Sequence, residues 1–339
     1  TNHRDTQPNN LPGLDNAPDN RPNICLAGEV RANAQPGLTA MHTLIVREHN
    51  YQASEYKKLN PDSDGEEIYQ YARMMVAAEM QAITYREFLP VLLGKNALGK
   101  YKGYKRKVNA GISNIFATSA YRFGHSLISP KLLRVDENGQ EIPAGHLSLA
   151  DAFFNTSHVE QEGIDSILRG LAKQRCQELD PKLVDELRNS LFGPPGAGGF
   201  DLAALNIQRG RDHGLPAYNA ARRAFGLSPA GSGLDITRNK KRARILEQMY
   251  DSGEEVDLWV GCVSEPHVRG AMVGKLLKRI LVEQFRRLRN GDRFWYENYL
   301  PEELQDIVEQ QTLATIIRRN TGVGNEIQNN VFRVPPNEK

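Results

Sequence analysis

Cysteine is scarce, with three residues in 339, Cys25, Cys176 and Cys262. That number excludes a disulfide framework, and the lack of any C-x-x-C or C-x-x-C-H string leaves a zinc ribbon, a thioredoxin-type redox site and c-type haem attachment without support. An excess of either charge is also missing. The 43 Lys and Arg against 41 Asp and Glu leave a net charge of +2, which argues against a protein held on nucleic acid mainly by charge. No apolar run approaches the roughly 20 residues of a membrane helix, so no membrane span is expected. The chain opens at Thr1 without a signal-like apolar stretch, so any targeting peptide is expected to be removed or to lie outside this sequence. What is present is ordinary for a globular protein, 40% hydrophobic and 25% charged, and long enough to bury a core without staples.

Residues 1–37 are rich in Asn, Pro, Asp and Gly and show no periodicity, so they read as an irregular arm. From 38 onward the pattern is helical and reads as one domain, 38–339, of an all-α fold. Leu38, Met41, Ile45 and His49 share one face, and Ile68, Ala72, Met75 and Ala82 share another up to Pro90. Further helices are expected over 115–128, 147–154, 164–172, 181–192, 234–250, 267–289 and 301–318. One hairpin is expected with a primed turn at Asn138-Gly139.

The basic clusters 100–107 and 238–244 read as solvated faces, with Ile245, Leu246 and Met249 supplying the buried side of the second. His42 and His49 lie two turns apart, which is poor spacing for paired metal ligands. Glu48-His49-Asn50 reads instead as a buried polar network. Arg122-Phe123-Gly124-His125 has what a haem needs, an imidazole for the iron and a cation for a propionate, although those four residues alone favour a core histidine with a surface arginine.

Taken in order, CLAGEVRANAQ, LTAMHTLIVREHN, ITYREFLPVLLG, YRFGHSLI, EGIDSILRGL, LNIQRGRDHGLPAYNAARR, VDLWVGCVSEP and LRNGDRFWYEN resemble the animal haem peroxidase family, also called the peroxidase-cyclooxygenase superfamily, from about Ile24 to about Phe332. The resemblance implies haem b, with His125 as the axial ligand of its iron and Asn206 accepting the other ring proton. It implies Arg122 and Arg209 at the propionates. It implies Arg31 and Gln35 on the catalytic, peroxide side. Hydrogen peroxide and a small electron donor, a halide, pseudohalide or phenol, are the implied substrates. The rival reading is a non-catalytic haem-binding or adhesion protein that keeps the fold.

Two departures stand out. Ala34 occupies the position where many members carry a glutamate esterified to the haem. The distal histidine and its calcium-binding neighbours have no counterpart before Arg31, where only His3 is found. The chain is therefore expected to be a carboxyl-terminal portion, with the rest, including the distal histidine, on an upstream chain of the same protein, removed or never encoded, and with any calcium bound outside these residues. Three cysteines fit a bacterial relative, secreted or periplasmic, better than the disulfide-rich extracellular animal members.

Overall fold

A computed structural model describes residues 24, 25, 27–193 and 199–335. The first 23 residues of the expected arm lie outside them. About 54% of the described residues are helical and one two-stranded sheet is present among them, as an all-α fold requires. The residues divide into two compact units, 1–87 with 129–175 and 301–339, and 88–128 with 176–300.

The first unit is built on two long helices, Pro36–Leu59 and Gly65–Ile83. Each starts on a side-chain cap. Gln35 Oε1 accepts from the Gly37 N–H at 2.7 Å with Pro36 at the first helical position, and Asp64 Oδ1 accepts from the Glu67 N–H at 2.8 Å. These helices pack with Asp165–Lys173 and Leu313–Asn320 around Leu44, Ile83, Ile164, Ile167, Leu168, Ile316 and Ile317, all buried. Gly170 is required there, because a Cβ would stand 1.8 Å from the Leu133 carbonyl oxygen.

Glu48 is the buried member of the Glu48-His49-Asn50 string, while Asn50 is exposed and His49 half-buried. Its network therefore runs inward rather than along the string. Arg319 donates to both Glu48 carboxylate oxygens (2.8 and 3.1 Å) and Asn320 to Oε2 (2.6 Å). Gln52 Nε2 donates to Oε1 of Glu48 and of Glu79, at 2.8 and 2.9 Å. Glu79 is 1% exposed, its Oε2 has no hydrogen-bond partner among the described residues, and its pKa is raised by burial and by the Glu48 charge.

Several expected helices break where local chemistry favours a turn. The 147–154 stretch begins as the strand Leu147–Ser148, paired antiparallel with Lys131–Leu132, before the short helix Leu149–Ala152. At 301–318, the Thr312 capping box starts a second helix after Glu302–Glu309. The turn at Asn138-Gly139 exists, but only Gly139 has positive φ (72°), so it is not the primed type. One bridge, Val135 to Glu141, closes it. Pro90 does not stop helical structure, since it sits in the first turn of Leu89–Leu93, where its missing N–H is harmless.

The second unit centres on Lys275–Gly291, whose Leu276, Leu277, Ile280 and Leu281 are 0% exposed. Helical structure starts at 275 rather than 267 because Gly270, at φ 78°, turns the chain beforehand. The basic clusters are largely exposed, as expected. In the 240–249 helix Ala243 and Leu246 are buried, whereas Ile245 and Met249 face solvent, a correction to the apolar face read from sequence.

Candidate haem site

The expected 115–128 helix is in fact two pieces, Asn114–Thr118 and the 3₁₀ helix Ala120–Leu127. The break is at Ser119 (φ −129°, ψ −66°). An aromatic cluster fixes the second piece. Tyr121 stacks on Phe116 at 4.6 Å, with Phe123 and Phe285 edge-on to Tyr121 at 5.8 and 5.9 Å. From that frame His125 projects half-buried.

Asn206 meets it from the helix Leu202–Asp212, which Asp201 caps by accepting the N–H groups of Ala203 and Ala204 at 2.8 and 3.1 Å. Asn206 is 1% exposed, and its amide lies against His125 Nδ1, with Oδ1 at 3.1 Å and Nδ2 at 2.9 Å. With Oδ1 as the acceptor, Nδ1 carries the proton and Nε2 keeps its lone pair. Nε2 has no hydrogen bond among the described residues. Burial, and then the charge of Arg122, lower the imidazole pKa to about 4 against the opposing pull of Asn206, so the ring is neutral near pH 7. A neutral imidazole with one ring nitrogen oriented and the other free is the form that ligates a metal.

Arg122 precedes His125 by one 3₁₀ turn. Its backbone carbonyl accepts from Trp259 Nε1 at 3.3 Å, and Trp259 is buried on the helix Leu258–Ser264. Its side-chain Nε is buried with no partner among the described residues. Burial and the nearby Arg209 both lower its pKa. A half-buried guanidinium with an unpaired N–H beside a second guanidinium is stabilised by an anion. A haem, with an iron for His125 and carboxylates for Arg122 and Arg209, fits these residues. No group of three or more His, Cys, Asp and Glu side chains that could hold a metal ion occurs among the described residues.

Arg31 and Gln35 belong to the first unit. Arg31 is exposed, and its Nε donates to Glu29 Oε1 at 2.8 Å. Gln35 Oε1 is used as a helix cap, leaving its Nε2 amide without a bond among the described residues. The loop carrying them is braced by Asn33, buried at 1% exposure. Asn33 accepts from the Cys25 N–H at 3.0 Å and donates to the Cys25 carbonyl at 2.9 Å. Ala34 is half-buried, and its carbonyl accepts from the Phe154 N–H at 3.1 Å. Sequence reading missed the bracing residues Asn33, Trp259 and Ser119. Asn33 stands in the same string as Arg31 and Gln35, so its place was the available signal.

The chain is 40% identical over 333 residues to Peroxinectin A of Dictyostelium discoideum, covering 97% of this chain and 62% of that protein. It is 44% identical to human myeloperoxidase, covering 91% and 43%, and 46% identical to the mouse peroxidasin homolog, covering 91% and 22%. It thus spans less than two thirds of these relatives' length. Among solved structures, Peroxidase A from Dictyostelium discoideum superposes with a TM-score of 0.89 at 38% identity, over 96% of this chain and 63% of that one. A rice fatty acid alpha-dioxygenase shares the fold at a TM-score of 0.78 and 22% identity, over 92% and 59%. Residues 1–332 match the family model described as animal haem peroxidase, and the chain belongs to that family.

Proposed function

We propose that this chain is the haem-binding part of a peroxidase that reduces hydrogen peroxide to water with two electrons from a halide, pseudohalide or phenol. The observation that carries this reading is the His125–Asn206 pair, with its neutral imidazole and free Nε2, beside the unpaired Nε of Arg122. Haem, when bound, supplies the electron exchange with peroxide and donor. His125 holds the iron through Nε2, Asn206 keeps the ring's tautomer, and Arg122 and Arg209 hold the propionates.

On the peroxide side Arg31 offers a fixed cation to the oxygen that departs as the O–O bond breaks, and Gln35 offers an amide donor. A guanidinium donates hydrogen bonds and has no acceptor, so it does not relay the proton between peroxide oxygens. The family resemblance assigns that proton transfer to a histidine upstream of the Arg31 string. A secreted or periplasmic setting and a calcium ion in the complete protein accompany this reading. One observation favours the alternative of haem binding without turnover: the Arg31 side chain is 74% exposed and paired with Glu29.

The test is peroxide-dependent oxidation of a phenolic donor by the haem-loaded protein, together with Arg31→Gln. Loss of a single charge-stabilising donor typically lowers turnover about 10²- to 10³-fold. Equal activity in both proteins, or none in the wild type with its upstream segment present, contradicts the peroxidase reading.

A further inference from the structure

The Asn206 amide places both its oxygen and its nitrogen within reach of the same ring atom, His125 Nδ1, at 3.1 and 2.9 Å. Nδ1 can bond only one of them. If the oxygen accepts, Nε2 keeps the lone pair a metal needs, whereas if the nitrogen donates, the ring proton moves to Nε2 and the lone pair is lost. Whatever fixes the amide's orientation therefore decides whether His125 can ligate. The Asn206 side chain makes no other hydrogen bond among the described residues.

Behind Asn206 lies a cavity of about 100 Å³. Ser119, Asn206 and Trp259 form its buried side, and Arg211, Glu255 and Asp257 stand at its solvent side. Ser119 is 1% exposed, and its Oγ has no hydrogen-bond partner among the described residues. Leaving a buried hydroxyl unpaired is destabilising, so a partner is expected. A polar site with two or more convergent groups holds water once it offers about 10–15 Å³ per molecule of such space. Here Ser119 is at the start of the same 3₁₀ helix that carries His125, while Asn206 comes from another helix.

We propose that Ser119 is a positioning residue for His125: ordered water in this cavity links its hydroxyl to the Asn206 amide and holds that amide with Oδ1 toward Nδ1. In the link Nδ2–H donates to water, which donates in turn to Ser119 Oγ, and the serine hydroxyl donates to a second water. The Asp257 carboxylate, paired with Arg211 at 2.7 Å and accepting from Tyr250 at 2.9 Å, is the acceptor at the solvent end. The inference rests on His125 being the haem ligand for its consequence, but not for its geometry.

The experiment compares wild type, Ser119→Ala and Ser119→Thr. In the haem-free protein, ¹⁵N NMR of His125 reads the tautomer directly. Wild type and Ser119→Thr are expected to carry the proton on Nδ1, and Ser119→Ala to show a mixture. A high-resolution crystal structure is expected to show water between Ser119 Oγ and Asn206. Loss of an outer partner of this kind typically weakens metal binding about 10- to 100-fold, so haem affinity of Ser119→Ala should fall within that range without a change in unfolding midpoint, and Ser119→Thr should restore it. A dry cavity, or the same tautomer in wild type and Ser119→Ala, overturns the proposal. If no variant takes up haem, the peroxidase reading fails while the tautomer comparison still decides the water link.

Discussion

Asn206 presents its amide to the Nδ1 side of His125 at hydrogen-bond distance, and Nε2 makes no hydrogen bond among the described residues. A neutral amide draws less on the Nδ1 proton than a carboxylate would, so the imidazole stays a weaker electron donor. Asn206→Asp should keep haem bound and lower its reduction potential, measured by spectroelectrochemistry at equal haem content. An unchanged or raised potential would count against the hydrogen bond.

Position 34 should give no covalent link. Alanine has no carboxylate to esterify, so acidic organic extraction should free haem from this polypeptide. Haem that migrates with the chain after denaturation would show another attachment. Ala34→Glu should acquire a link after exposure to peroxide.

Stability should depend on Glu79. Its pKa is raised in the folded state, first by burial and then by the Glu48 charge, while Arg319 and the Gln52 bond oppose. The folded protein therefore holds a proton that the unfolded chain releases at ordinary glutamate values. That contribution is complete at acid pH and is lost as pH rises from the ordinary glutamate pKa through the raised one, at up to about 1.4 kcal/mol per pH unit. Urea unfolding between pH 5 and 9 should show a steeper decline for wild type than for Glu79→Gln, which mimics the protonated carboxyl. Equal slopes would mean that Glu79 is ionised throughout.

Gly261 allows the buried Tyr218 ring to approach the Trp259 helix. A Cβ there would lie 2.2 Å from the ring, so Gly261→Ala should destabilise by about 1–3 kcal/mol through overpacking. Denaturant midpoints at constant m-value test this, and a shift below a few tenths of a kcal/mol would show that Tyr218 relaxes freely.

The long helices were legible because their apolar positions recur at helical spacing, while the caps Gln35 and Asp64 were not read from sequence. The His125 string was visible, yet its 3₁₀ form was not. The turn at Ser119 and the aromatic cluster around Tyr121 depend on partners as distant in sequence as Phe285, beyond what local periodicity records. The same limit hid the network of Glu48. Its members Glu79 and Arg319 are 31 and 271 residues from Glu48, beyond what local spacing records, whereas Gln52, one helical turn on, was within its reach. Residues such as Trp259 act through one backbone carbonyl, a role with no sequence signature.

The central claim is that His125 ligates haem iron. Its most direct measurement is haem titration followed by absorption and resonance Raman spectra for wild type and His125→Ala. Wild type should take up one haem and show an iron–histidine stretch, while the variant should lose that stretch and bind haem more weakly. The same stretch at the same haem affinity in His125→Ala would contradict the account.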